Sequence, residues 1–204
     1  MDAKRDAPAC AVDPDSGDPL YAYKPSLIGA PHEFRLRPAG LDWRVGRRGD
    51  IARYDRIRRV RLAFRPVTMQ TYRFVTEIWP EAGPRLQIAS SSWRSIAEQQ
   101  RLDGAYRAFV CELHRRMAAA GSTAAFVAGS PPLLYWPGLI AFVAVSFALA
   151  ALVVKALALG ALAAAGLIAV IFAVFLWQAG TFFRRNRPGT YRPDALPPNL
   201  LPRA

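Results

Sequence analysis

The stretch FALAALVVKALALGALAA, residues 147–164, carries a single charge, Lys155, inside an apolar block that runs over residues 133–183. One helix across the whole block would reach about 77 Å, whereas a hydrocarbon core is about 30 Å thick. A lysine at the centre of a spanning helix costs about 2.5–3.5 kcal/mol on insertion scales, but one at a helix end reaches the interface at little cost. Lys155 therefore marks a turn. The block reads as a transmembrane helical hairpin over 133–183, with spans near 134–154 and 161–182 and a turn from Lys155 to Gly160.

The charges frame this block. Residues 1–32 carry a net charge of −2, residues 33–117 of +9, residues 118–183 only Lys155, and residues 184–204 of +4, within a total of +12. Arg115 and Arg116 precede the first span and Arg184, Arg185 and Arg187 follow the second, so the positive-inside bias places both termini in the cytoplasm. Tyr135, Trp136 and Trp177 are expected to anchor that interface together with Arg184 and Arg185. Residues 1–32, rich in Asp and Pro and lacking an apolar h-region, read as a disordered polar arm and not as a cleaved secretion signal.

Residues 33–120 form the expected soluble domain, and most of it has period two. Phe34 and Leu36 alternate with Arg35 and Arg37, Leu41, Trp43 and Val45 with Asp42 and Arg44, and Val60, Leu62 and Phe64 with Arg59, Arg61 and Arg65. Tyr72, Phe74, Thr76 and Ile78, then Leu86 and Ile88, continue the rhythm, with Gly- and Pro-rich breakers between runs. A capping box at Ser95 and Glu98 opens a helix whose Leu102, Ala105, Tyr106, Phe109, Leu113 and Met117 recur every three or four residues. The expected fold is α+β: an antiparallel sheet of five to seven strands closed by a C-terminal helix, then a linker over 121–132, the hairpin, and a Pro-rich cytoplasmic tail over 184–204.

The order EFRLRPAGLDWRVGRRGDIARYDRIRRVRLAFRP (33–66), YRFVTEIW (72–79), LQIASSSW (86–93) and closing helix resembles the bacterial pleckstrin-homology-like domains found in small integral membrane proteins. The resemblance covers about 85 of the 204 residues. It implies a binding or scaffolding module and not an enzyme. With the two spans, it points to a multi-pass protein of the bacterial inner membrane.

No residue pattern names a reaction, and no catalytic residue, metal or cofactor is expected. Cys10 and Cys111 are far apart on the cytoplasmic side, which argues against a disulfide framework, and no metal-ligand spacing exists. His32 and His114 are isolated, and His114 is expected on the helix surface. The triplet Arg48-Gly49-Asp50 falls in an expected hairpin turn.

The arginines carry the functional content. Arg35, Arg37, Arg44, Arg59, Arg61 and Arg65, with Arg73 and Arg85, take the parity opposite to the core and should gather on one outward sheet face. An ordinary solvated face, anionic headgroups at up to about 1 kcal/mol per residue, and an acidic protein partner all fit this pattern. Nucleic acid is disfavoured because outward aromatics for base stacking are scarce. In the spans, Ala144 and Ala148, and Ala165, Ala169 and Ala173, recur every four residues, a spacing that suits packing within the hairpin, a homo-oligomer or a membrane partner. The expected function is a membrane-anchored cytoplasmic interaction module; the alternative is an accessory subunit whose hairpin makes the essential contact. In the tail, Leu196, Leu200 and Leu201 are the apolar anchors of a docking segment or of a disordered end.

Overall fold

A computed structural model describes residues 11–26, 28–66, 72–93 and 99–203. Five strands come first: β1 (Ala11–Val12), β2 (Pro19–Tyr23), β3 (His32–Arg37), β4 (Gly40–Val45) and β5 (Arg48–Ala52), joined in that order as an antiparallel sheet. A 3₁₀ turn at Tyr54–Arg56 leads to β6 (Ile57–Pro66), β7 (Tyr72–Pro80) and β8 (Leu86–Ala89), then to a ribbon of β9 (Ser91–Trp93) and β10 (Gln99–Arg101). Helix α1 (Asp103–Ala119), β11 (Ala125–Ala128), the apolar helices α2 (Pro132–Ala158) and α3 (Leu162–Arg185), β12 (Gly189–Thr190) and a 3₁₀ turn at Pro198–Leu200 follow. The second sheet has the order β12-β11-β6-β7-β8, with β11 parallel to β6 and its other pairs antiparallel.

Successive strand residues point to opposite faces, so each alternating run presents one row to the core. Phe34, Leu36, Leu41, Trp43, Val60, Leu62, Phe64, Phe74, Ile78, Leu86 and Ile88 are buried in one cluster, which also takes Tyr106, Phe109, Val110, Leu113 and Met117 of α1. Buried Thr76 shares a hydrogen bond with the Tyr106 hydroxyl at 2.7 Å. The expected single sheet is instead two five-stranded sheets and the two-stranded β9–β10 ribbon, because period two reports a strand's faces and not its neighbours. The turn expected to hold Arg48-Gly49-Asp50 is shorter and ends before Arg48. Gly46, at φ +62°, and Arg47 make a two-residue connection, and Arg48-Gly49-Asp50 lies in β5.

The apolar block folds as two helices, each long and apolar enough to cross a membrane. Lys155 lies in the last turn of α2, where a cation suits the helix dipole. The turn follows it. Gly160, at φ +70°, donates to Leu157 O at 3.0 Å, and Ala161 N donates to Ala156 O at 3.0 Å, the paired bonds of a Schellman stop.

Three segments expected to lie outside the domain are built into it. Residues 19–23 of the expected polar arm form β2, with Tyr21 and Tyr23 buried and their hydroxyls donating to Ala89 O and Gln87 O at 2.6 Å. Residues 125–128 of the expected linker form β11. The tail adds β12 and then buries Leu200 and Leu201 in the core, so its docking partner is the chain's own domain. Two or four apolar residues among prolines and glycines give too short a period to read, yet they suffice at a sheet edge that is already formed. Residues 1–10 and the expected capping box at Ser95 and Glu98 lie outside the described residues, and α1 begins at Asp103.

Candidate functional site

The expected basic face divides between the two sheets. On the first, acids answer each arginine: Arg35 pairs across β3–β4 with Asp42 and Arg44 with Glu33, while Arg35 also lies 3.4 Å from buried Asp13 and Arg37 lies 2.8 Å from Asp42. Three arginines facing three acids leave no local surplus.

The second sheet is different. Glu77 on β7 is fully buried, opposite Arg61 on β6 and Gln87 on β8. Its carboxylate accepts hydrogen bonds from Arg61 Nε at 2.6 Å, from Arg65 Nη2 at 2.8 Å and from Arg85. Trp79, two residues on and so on the same face, has the guanidinium carbons of Arg59, Arg61 and Arg85 at 5.7, 5.3 and 5.2 Å from its ring centre. These distances fall within cation–π range. Arg73 sits across from Arg65, and its buried Nε has no hydrogen-bond partner among the described residues. Burial, then the Arg65 charge, push the Arg73 guanidinium below the ordinary arginine range. Arg61, Arg65 and Arg85 therefore share one carboxylate, with Arg59 on the Trp79 ring and Arg73 across from Arg65 beside them, and this lattice of five arginines keeps a strong positive surplus.

Near the root of the helices Trp136 is exposed, as is Trp177 eight residues before the end of α3, but Tyr135 is buried. Its hydroxyl donates to Phe183 O at 3.2 Å and its ring packs edge-on against Phe183, so it fastens α2 to α3 and does not face outward. Ala165 and Ala156 are buried as well, whereas Ala144, Ala148, Ala169 and Ala173 stay exposed, so most of the small-residue stripe lies off the hairpin's own contact. Asn186, directly after α3, is fully buried. Its side chain accepts from Phe64 N at 2.9 Å and donates to Phe64 O at 2.7 Å, continuing the β6 ladder beyond β11 as a strand residue would. Gly129 N donates to Leu62 O at 2.8 Å and Ser130 N to Asn186 O at 3.0 Å. Both helix roots are thereby tied to one sheet edge.

His114, expected on the surface, is fully buried on α1. Its Nδ1 meets Val110 O at 2.7 Å and its Nε2 the Tyr191 hydroxyl at 2.9 Å, with Phe126 and Tyr191 packed on the ring. With Nδ1–H donating to the carbonyl and Nε2 accepting, the neutral ring is satisfied. Burial accordingly lowers its pKa to about 4. The unfolded chain takes up the proton first, near the ordinary histidine value, so stability is complete above about pH 6.5 and is lost as pH falls towards 4. Between pH 7 and pH 5 the histidine should remove about 2 kcal/mol, and His114→Gln should flatten that part of the profile. Denaturant melts at the two pH values, wild type against variant, check this; equal slopes would show that His114 does not carry it. The difference is the proper readout, because burial also lowers His32 and acts in the same direction.

Glu77 was legible in principle as one acid at arginine parity in TEIW, and His114 as a member of the α1 stripe, four residues after Val110 and three before Met117, whereas Asn186 and Gly129 leave no periodic trace. Among the described residues no cluster of His, Cys, Asp or Glu could hold a metal, and Cys111 is free. Compared with protein-family models, curated proteins and solved structures, the chain has no match.

Proposed function

We propose that the chain is a membrane-anchored interaction module without catalytic activity: a pleckstrin-homology-like domain, closed by α1, that the α2–α3 hairpin holds at the cytoplasmic face of a bacterial inner membrane. Because β11 before the hairpin bonds β12 after it, both flanks lie on one side, and Arg184, Arg185 and Arg187 favour the cytoplasm. The observation that carries the reading is the lattice of five arginines around Glu77. Like charges directly across strands, as at Arg65 and Arg73, are destabilising until an anion arrives.

The geometry favours an acidic protein partner over the bilayer. The Arg65 end of β6 lies beside the hairpin root, through Phe64 and Asn186, but Arg59 is about 20 Å back along the strand, beyond two Debye lengths of about 8–10 Å. A flat surface at the root would touch one end of the lattice only. In neutral-lipid nanodiscs, the full chain should bind poly-glutamate in a salt-sensitive way. Replacing Arg59, Arg65 and Arg73 together by Ser should weaken this by about ten-fold while Arg61 and Arg85 still hold Glu77. Unchanged binding by the triple variant would dismiss the lattice and leave the hairpin as the contact surface.

A further inference from the structure

A second basic site lies on the core side of the same sheet end. The end of α3, the start of β7, the start of α1 and the tail enclose a cavity of about 870 Å³. Its charged walls are Arg101, Arg107, Arg184, Arg185 and Arg203, against one acid, Asp103, which is already paired with Arg101. The arrangement is built and not incidental. Tyr72 lies between two cations, with Arg101 at 4.5 Å and Arg185 at 5.9 Å from its ring centre, and Arg101 also donates to its hydroxyl at 3.0 Å. Arg185 lies 4.7 Å from the Phe64 ring and has no acidic partner among the described residues. Arg107 Nη1 donates to Pro202 O at 2.7 Å and Asn199 to Arg185 O at 3.0 Å, which fixes the tail as the outer wall.

An independent feature says what enters. An apolar groove runs along α3 past Ile171, Val174 and Gln178. Steps of three and four residues continue that stripe into Thr181 and Arg185, which line the basic cavity. The groove and the cavity thus share one helix face, apolar along the helix and basic at its end. Guanidinium forks match phosphate oxygens in pairs, and basic pockets beside spanning helices suit phosphorylated headgroups.

We propose that this cavity holds the phosphate headgroup of an anionic glycerophospholipid whose acyl chains lie in the α3 groove. The inference rests on the membrane reading above. It is distinct from the lattice around Glu77, which serves a protein.

The test uses the full chain, purified in detergent and titrated with phosphatidylglycerol, diphosphatidylglycerol, phosphatidylcholine or inorganic phosphate, with bound lipid read by native mass spectrometry. Both anionic lipids should outcompete phosphatidylcholine, and millimolar inorganic phosphate should not displace them. Replacing Arg101 and Arg185 together by Gln should weaken anionic-lipid binding by about thirty-fold. Exposed Arg184→Gln, which leaves the stack on Tyr72 intact, should weaken it by about five-fold without changing the melting temperature. Equal retention of charged and neutral lipid, displacement by free phosphate, or full affinity in Arg184→Gln would overturn the proposal. A cysteine placed at Gly160 and probed with an impermeant label reports insertion separately. A hairpin that fails to insert sinks the membrane reading, and one that inserts without lipid preference sinks this proposal alone.

Discussion

Glu77→Ala is expected to cost about 3–5 kcal/mol, the range for breaking a buried ion pair from one side. Glu77 is fully buried and the side chain of Arg61 is only 14% exposed, so neither has water as a substitute partner. Removing the carboxylate leaves Arg61, Arg65 and Arg85 converging on a neutral gap beside Arg73, and their repulsion adds to the lost hydrogen bonds. Contrast Asp55, which pairs with Arg53 at the surface: exposed pairs contribute about 0–1 kcal/mol, so Asp55→Ala should hardly register. Denaturant unfolding of the full chain in detergent compares the two. A Glu77→Ala loss as small as that of Asp55→Ala would mean that the arginines do not depend on the carboxylate.

Gly129→Ala is expected to destabilise by about 3 kcal/mol or more, through left-handed strain and overpacking together. The residue has φ +75°, and an added Cβ would meet Arg187 O at 2.5 Å and Asn186 C at 2.7 Å, with Asn186 O closer still. These are backbone atoms, and Asn186 cannot retreat because its side chain is bonded to Phe64 on both sides. Gly46 supplies the control. It has a similar φ of +62° but its nearest neighbour would be the Ala30 Cβ at 3.4 Å, so Gly46→Ala should show the strain of about 1–2 kcal/mol alone. Equal melting shifts for the two variants would show that the junction at Asn186 can open without cost.

The long alternating runs were legible because burying one strand face imposes a two-residue period. Lys155 was legible because a charge is expensive in mid-bilayer. The edges were not. β2 and β11 add four apolar side chains each and β12 none, and their pairing depends on what β3 and β6 already present. The arginines were read at the correct parity, but parity cannot tell which acids lie across the next strand. Asp42, Glu33 and Asp13 cancel one group of them, whereas Glu77 organises the other. His114 looked solvent-exposed among its charged neighbours because the group that buries it, Tyr191, comes 77 residues later.

That distance along the chain has a consequence for biogenesis. The ribosome releases β12, Tyr191, Leu200 and Leu201 only after both apolar helices have passed through it, yet these residues complete the second sheet and the core. Until then Phe64 lacks the Asn186 amide on its open edge, and His114 lacks its hydroxyl partner. The second sheet is therefore completed only after both apolar helices have been made, and a chain whose helices fail to pair keeps an unfinished edge on β6.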